Sequence, residues 1–152
     1  MKRIFKVAML AALLPLAGLA QDANQMWPVI LVSPQDLIQS QAATGMAVDV
    51  ANYQGNSAFI ATVEKSQTVG RTNLFTVQHS TTGTSGWKTL TNTVGTACVI
   101  TITGTNTTAG YTSSVACDLA KAHKYIRGIA CQAGTPNTNG VGLILLAPVK
   151  KN

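Results

Sequence analysis

From residue 46 onward apolar and polar side chains alternate in short runs, with a period near two instead of the 3.6 of a helix face. Such runs occupy 46–53, 57–64, 72–79, 87–91, 96–103, 110–117, 124–132 and 141–148. Thr, Val, Ile and Tyr are common in them, and branched or aromatic side chains pack well on a pleated, half-buried surface. Turn chemistry separates the runs: Gln54-Gly55-Asn56, Val69-Gly70, Thr82 through Gly86, Gly104-Thr105-Asn106, and Gly134 through Gly140. Strands roughly 8–12 residues apart, with no long helix between them, predict an all-β fold. The expected architecture is a single antiparallel β-sandwich, jelly-roll or Ig-like, of about eight strands with an extended N-terminal arm. Within the β-region, residues 118–123 are the one candidate for a helical turn. Val48, Val50, Phe59, Ala61, Leu74, Ile100, Ile102, Val115, Leu119, Ile129, Leu143 and Leu145 are the expected core.

The chain ahead of residue 46 reads differently. Residues 27–33 (WPVILVS) form a short extended run that Ser33-Pro34 should stop, and 35–44 is mostly polar. Residues 21–45 are therefore expected to be an arm or linker, and 46–152 the β-sandwich domain. Trp27, Val29, Ile30 and Leu31 are expected to anchor the arm on a partner, and removing residues 1–45 is expected to leave the sandwich folded. Residues 1–20 are a basic start, an apolar run from Val7 to Ala17 and a small-residue ending, Gly18-Leu19-Ala20. That is the pattern of a secretory signal peptide cut after Ala20, and a retained apolar arm is the other reading. The run is short and broken by Pro15, so no membrane span of about 20 residues is expected in the mature form.

Composition narrows the function. At 152 residues there is one domain's worth of chain. Only 11% of residues are charged, so the surface is largely Thr, Ser, Asn and Gly, which fits secreted, fibrous or virion proteins. The net charge of +6 is concentrated at the termini, in Lys2, Arg3, Lys6, Lys150 and Lys151. Residues 21–149 hold Lys65, Lys88, Lys121, Lys124, Arg71 and Arg127 against five acids, and no basic stripe of the kind that phosphate backbones require. No nucleic-acid partner is expected. Cys98, Cys117 and Cys131 are odd in number and lie in apolar β-patterns, so they read as buried core thiols.

No catalytic, metal or cofactor site is expected. His79, Ser80 and Asp49 or Asp118 can be assembled on paper into a triad, but there is no nucleophile elbow, and Ser80 and Ser85 sit where turns use serine. His79 and His123 lack the further ligands that a metal needs. Trp87 opens a strand after a Gly/Ser/Thr turn, where an indole serves either as a packing anchor or as a partner-binding platform. Asn106-Thr107-Thr108 is a formal glycosylation sequon.

Three segments carry a resemblance. Val48-Asp-Val-Ala-Asn-Tyr-Gln-Gly55 leads into the strand at 57–63, FTVQHSTTGTSGWKTL spans 75–90, and DLAKAHKYIR spans 118–127 ahead of the strand at 128–132. Together with the apolar last strand at 142–148 they resemble, over residues 45 to 149, small β-sandwich decoration or minor capsid proteins of tailed bacteriophages. The departure is Thr81-Thr82-Gly83, where acidic residues are common in that family. The resemblance implies a non-enzymatic cement protein on the capsid exterior. Its partners would be the major capsid protein and copies of itself, a homo-oligomer such as a trimer. The alternative is an exported β-sandwich, secreted or periplasmic, that binds glycans or a surface assembly with Trp87 as platform.

Overall fold

The computed structural model describes residues 26–38, 41–53, 55–64, 71–92, 94–104, 110–133 and 139–148. The apolar segment 1–20 and the Asn106 sequon lie outside them. Ten strands form among the described residues: β1 (Met26–Leu37), β2 (Ala42–Thr44), β3 (Val48–Asp49), β4 (Asn56–Val63), β5 (Thr72–Ser80), β6 (Lys88–Thr89), β7 (Val99–Thr103), β8 (Tyr111–Asp118), β9 (Tyr125–Ala133) and β10 (Asn139–Pro148). They pair antiparallel in two sheets. The first has the order β1-β10-β4-β8, and the second runs β2-β9-β5-β6, with β3 also on β9 and β7 also on β5. From β4 to β10 the long strands alternate between the sheets, and the first strand lies beside the last. An Ig-like sandwich instead keeps sequential strands such as A and B, or F and G, within one sheet. The order is therefore that of a jelly roll, whose two Greek keys interlock across the core. The one helical element among the described residues is a 3-10 turn, Leu119–Lys121, with Asp118 Oδ1 accepting the Ala120 N–H at 2.9 Å.

The arm expected at 21–45 is in large part sandwich. β1 pairs with β10 along nearly its whole length, from Met26 opposite Pro148 to Leu37 opposite Asn139, and β2 pairs with β9. Ser33-Pro34 does not stop β1, because β1 is an edge strand and one side of it owes no hydrogen bonds to a neighbour. Register shifts at Ile30/Val32 and Val32/Gln35 bend it there. The first shift turns two consecutive residues, Leu31 and Val32, into the core at 1% exposure each. A truncation at residue 45 would thus remove Leu31, Val32, Leu37 and Ala43 from the packed interior, so the sandwich is not expected to survive it.

Phe59, Phe75, Leu31, Leu90, Ile126, Leu143 and Leu145 dominate the core, and each such side chain contributes roughly 1.5–3 kcal/mol through burial. Two expected core residues face outward: Leu74 is 40% exposed, and Ile129 is only half-buried. On β5 the inward positions are Asn73, Phe75 and Val77; on β9 they are Ile126, Gly128, Ala130 and Gln132. Gly128 selects that face. A Cβ there would meet Leu143 Cδ2 at 2.7 Å and Leu31 Cβ at 3.0 Å, so the two sheets approach too closely for any larger residue.

The cysteines also differ from the sequence reading. Cys98, just before β7 in the second sheet, and Cys117, on β8 in the first, form a disulfide with Cα atoms 6.2 Å apart. Both do lie in the core. Alternation along a strand shows that each points inward, but it carries no information that they meet across the sandwich. A loop of this size, 19 residues in separation, makes the bond worth about 3 kcal/mol. Cys131 remains a free, half-buried thiol.

Candidate functional site: an aromatic–cationic face

The segment 75–90 builds one end of the second sheet. β5 delivers Ser80 into the turn that follows, where its Oγ accepts the N–H groups of Thr82 (3.1 Å) and Gly83 (3.2 Å) and donates to the Ser85 carbonyl. Thr82 Oγ1 accepts the Ser85 N–H at 3.1 Å and also donates to the Ser85 carbonyl. Gly83, at φ +76°, lies flat on the Tyr125 ring; a Cβ would be 3.0–3.2 Å from three of its carbons. The turn is thereby fixed over β9, and it releases the chain with Trp87 against Arg127.

Arg127 is the centre of the face. It lies directly opposite Gln78 in the register of β5 and β9. The Gln78 Oε1 accepts from both Arg127 Nε (3.0 Å) and Nη2 (2.8 Å). This two-pronged bond holds the guanidinium over the Trp87 ring, 4.2 Å from its centroid. Tyr125 follows two residues before Arg127 on the same face, with Lys124 Nζ 5.1 Å from its ring centroid and 3.7 Å from Asp49 Oδ2. The Tyr125 hydroxyl, then the Asp49 charge, hold Lys124 above the usual ammonium range. Chemically this is a flat surface of rings and fixed cations, suited to contact rather than bond-making. One face of Trp87 is occupied by the guanidinium, so a ligand or partner meets only its other face and edge.

The groups of the hypothetical triad are committed elsewhere. Ser80 Oγ serves the turn, Asp49 accepts the Ala51 N–H and pairs with Lys124, and Asp118 caps the 3-10 turn. His79 and His123 do meet, stacked at 4.4 Å, with His123 N–H donating to His79 Nδ1 at 3.2 Å. Burial first, then the charges of His123 and Lys88, keep His79 below the usual imidazole range, against the opposing pull of the Lys121 backbone. Among the described residues no three His, Cys, Asp or Glu side chains group as a metal site.

The sequence-expected contact residues separate into two kinds. Trp27 (63% exposed) and Ile30 (58%) present their side chains to solvent from β1. Leu31 is core, Val29 packs against the core, and Trp87 is half-buried. The sequence reading missed Gln78 and Arg127 as a unit; their basic and amide character was visible, but not their cross-strand register.

A second feature concerns the outward side of the first sheet. Register places Pro28, Leu146, Ala58 and Ala116 in one row across its four strands, and Ile30, Ile144, Ile60 and Ser114 in the next. Ala58, Ile60 and Leu146 are buried, yet they stand outside the inter-sheet core. A sandwich sheet with a free outer face alternates apolar and polar residues; strands apolar on both sides belong to sheets covered on both sides.

The chain matches no protein-family model and no curated protein. Among solved structures it is similar to the PBSX exported protein XepA, with a TM-score of 0.55, 13% identity, and coverage of 83% of this chain and 38% of that one. The chain thus spans well under half of that protein's length. It is also similar to a family 35 carbohydrate binding module from Clostridium thermocellum (TM-score 0.45, 13% identity, 78% and 97% coverage). A third is the infectious bursal disease virus VP2 subviral particle (TM-score 0.43, 11% identity, 82% and 32% coverage). At 13% identity the likeness to XepA is one of fold alone. No helix among the described residues is long and apolar enough to cross a membrane.

Proposed function

We propose that this chain is a non-enzymatic jelly-roll protein that works by assembly, decorating the exterior of a bacteriophage capsid through contacts with the major capsid protein and with its own copies. The observation that carries this reading is the apolar β1 edge of the first sheet, where Trp27 and Ile30 stand exposed beside Pro28. An exposed apolar edge of this kind makes protein contacts with few desolvated charges to be paired. The segments at 48–55, 75–90 and 118–132 add the resemblance to phage decoration proteins. Expression beside the cognate capsid, followed by sedimentation of particles, tests it. Wild type is expected in the particle fraction, and Ile30→Lys is expected to be lost from it while remaining folded by circular dichroism. A wild-type chain that stays soluble and monomeric in the presence of particles overturns the reading.

A second reading rests on a different observation, the disulfide between the sheets. Disulfides persist in oxidising compartments, and with the signal-like N-terminus the bond favours an exported binding module that uses the Trp87–Arg127 face. Intact mass of the native protein separates the two. A chain starting at Gln21 and absent from virions supports export, and a full-length chain co-sedimenting with virions supports decoration.

A further inference from the structure

Where β5 begins, at the end of the sandwich opposite Trp87, the inward face turns polar. Arg71, one residue ahead of β5, is fully buried, and Asn73 on the same side is 1% exposed. Asn73 lies directly opposite Gln132 of β9, which is also buried. Arg71 Nε, Nη1 and Nη2, and Asn73 Nδ2 and Oδ1, have no hydrogen-bond partner. The backbone beneath them is settled: the Arg71 carbonyl accepts the Gly104 N–H at 2.6 Å.

Among the described residues no acid answers this charge. Among the described residues the one ion pair is Lys124–Asp49, at the other end, and Asp118 caps the 3-10 turn there. Asp36 and Glu64 do stand at the Arg71 end, around a hollow of about 220 Å³ that Pro34, Gln35 and Gly140 also line. Both are exposed, and neither pairs with Arg71. Burial pushes the Arg71 guanidinium below its ordinary range, but a guanidinium gives up its proton too reluctantly to become neutral. A buried cation carrying five donors is stable only with an acceptor of opposite charge on its fork. Arg71 and Asn73 together offer that fork and one amide donor, and they sit at the sandwich end rather than mid-core.

We propose that the Arg71 end of the sandwich binds a small oxyanion (phosphate, sulfate or a free carboxylate), with the guanidinium gripping two oxygens and Asn73 Nδ2 donating to the same group. Planar, two-pronged contact of this kind is what arginine supplies and lysine does not. The site is independent of the capsid reading and of the Trp87 face.

The test titrates the full, oxidised chain calorimetrically with phosphate, sulfate and acetate in separate arms, at low and constant ionic strength. Saturable binding is expected in at least one arm, and the arm that responds identifies the anion geometry. Arg71→Met is expected to weaken it tenfold or more, Arg71→Lys to restore it only in part, and Asn73→Leu to weaken it less than Arg71→Met. Should Arg71→Met fail to fold, the Arg71 side-chain Nε–H resonance of the wild type decides, since it must shift saturably with the same anion. No saturable response in any arm, or equal responses from wild type and Arg71→Met, overturns the proposal.

Discussion

At the end of the sandwich where β5 runs into β6, Ser80 alone takes part in four hydrogen bonds with the turn that follows, Asp118 caps a helical turn, and Gln78 holds Arg127. At the end where β5 starts, the side chains of Arg71 and Asn73 take part in none. The same strand therefore begins among unanswered polar groups and finishes among satisfied ones. Hydrogen bonds closed within the chain make a region that stands by itself; buried polar groups left open mark a region completed by something else. The comparison also locates the disulfide, since Cys98 precedes β7 where its carbonyl accepts the Val77 N–H, near the satisfied end.

Four measurements test that contrast, and the largest effect is expected from the staple. Replacing Cys98 and Cys117 together by Ala should lower unfolding stability in urea by about 3 kcal/mol. A loss under about 1 kcal/mol would show that the two sheets hold together without it. Next, Ser80→Ala leaves the Thr82 and Gly83 N–H groups without their acceptor and should cost roughly 1–3 kcal/mol. The change should also displace the turn from Tyr125, read as a change in near-ultraviolet circular dichroism.

At the opposite end the sign reverses. In anion-free buffer Arg71→Met should be neutral or stabilising by up to about 1–4 kcal/mol, because it removes a buried charge with no partner. A large destabilisation there would mean that the guanidinium is internally satisfied, and the contrast between the ends would fall. The smallest effect is the pH response of His79, whose pKa is lowered on folding by burial, His123 and Lys88. The unfolded imidazole titrates near 6.5, so this stability is fully present above that pH and is lost as pH falls through the lower folded value. Urea midpoints between pH 8 and 5 should therefore decline, and His79→Gln should flatten the decline.

The strands were largely legible in the sequence. The runs at 57–64, 72–79, 110–117, 124–132 and 141–148 differ from β4, β5, β8, β9 and β10 by a residue or two at their ends. Which face each strand buries was less so. Residues 74, 75 and 77 are all apolar, and alternation alone cannot choose between Leu74 and the pair Phe75 and Val77. The structure buries the pair and exposes Leu74, which places Asn73 inside. The candidate site shows the same limit. Trp87, Tyr125 and Arg127 are conspicuous residues, yet their union depends on the pairing of Gln78 with Arg127, two residues 49 positions apart.

An all-β sandwich with a nearly neutral body and no motif for chemistry could be read from the chain directly. Those properties follow from local period, turn residues and composition, which act over a few residues at a time. The place of β1 in the sandwich, the meeting of Cys98 with Cys117, and the burial of Arg71 without a partner emerge with the folded chain. Each of these depends on which strands lie side by side or face to face. In a jelly roll such neighbours come from distant parts of the chain, because successive long strands cross from one sheet to the other.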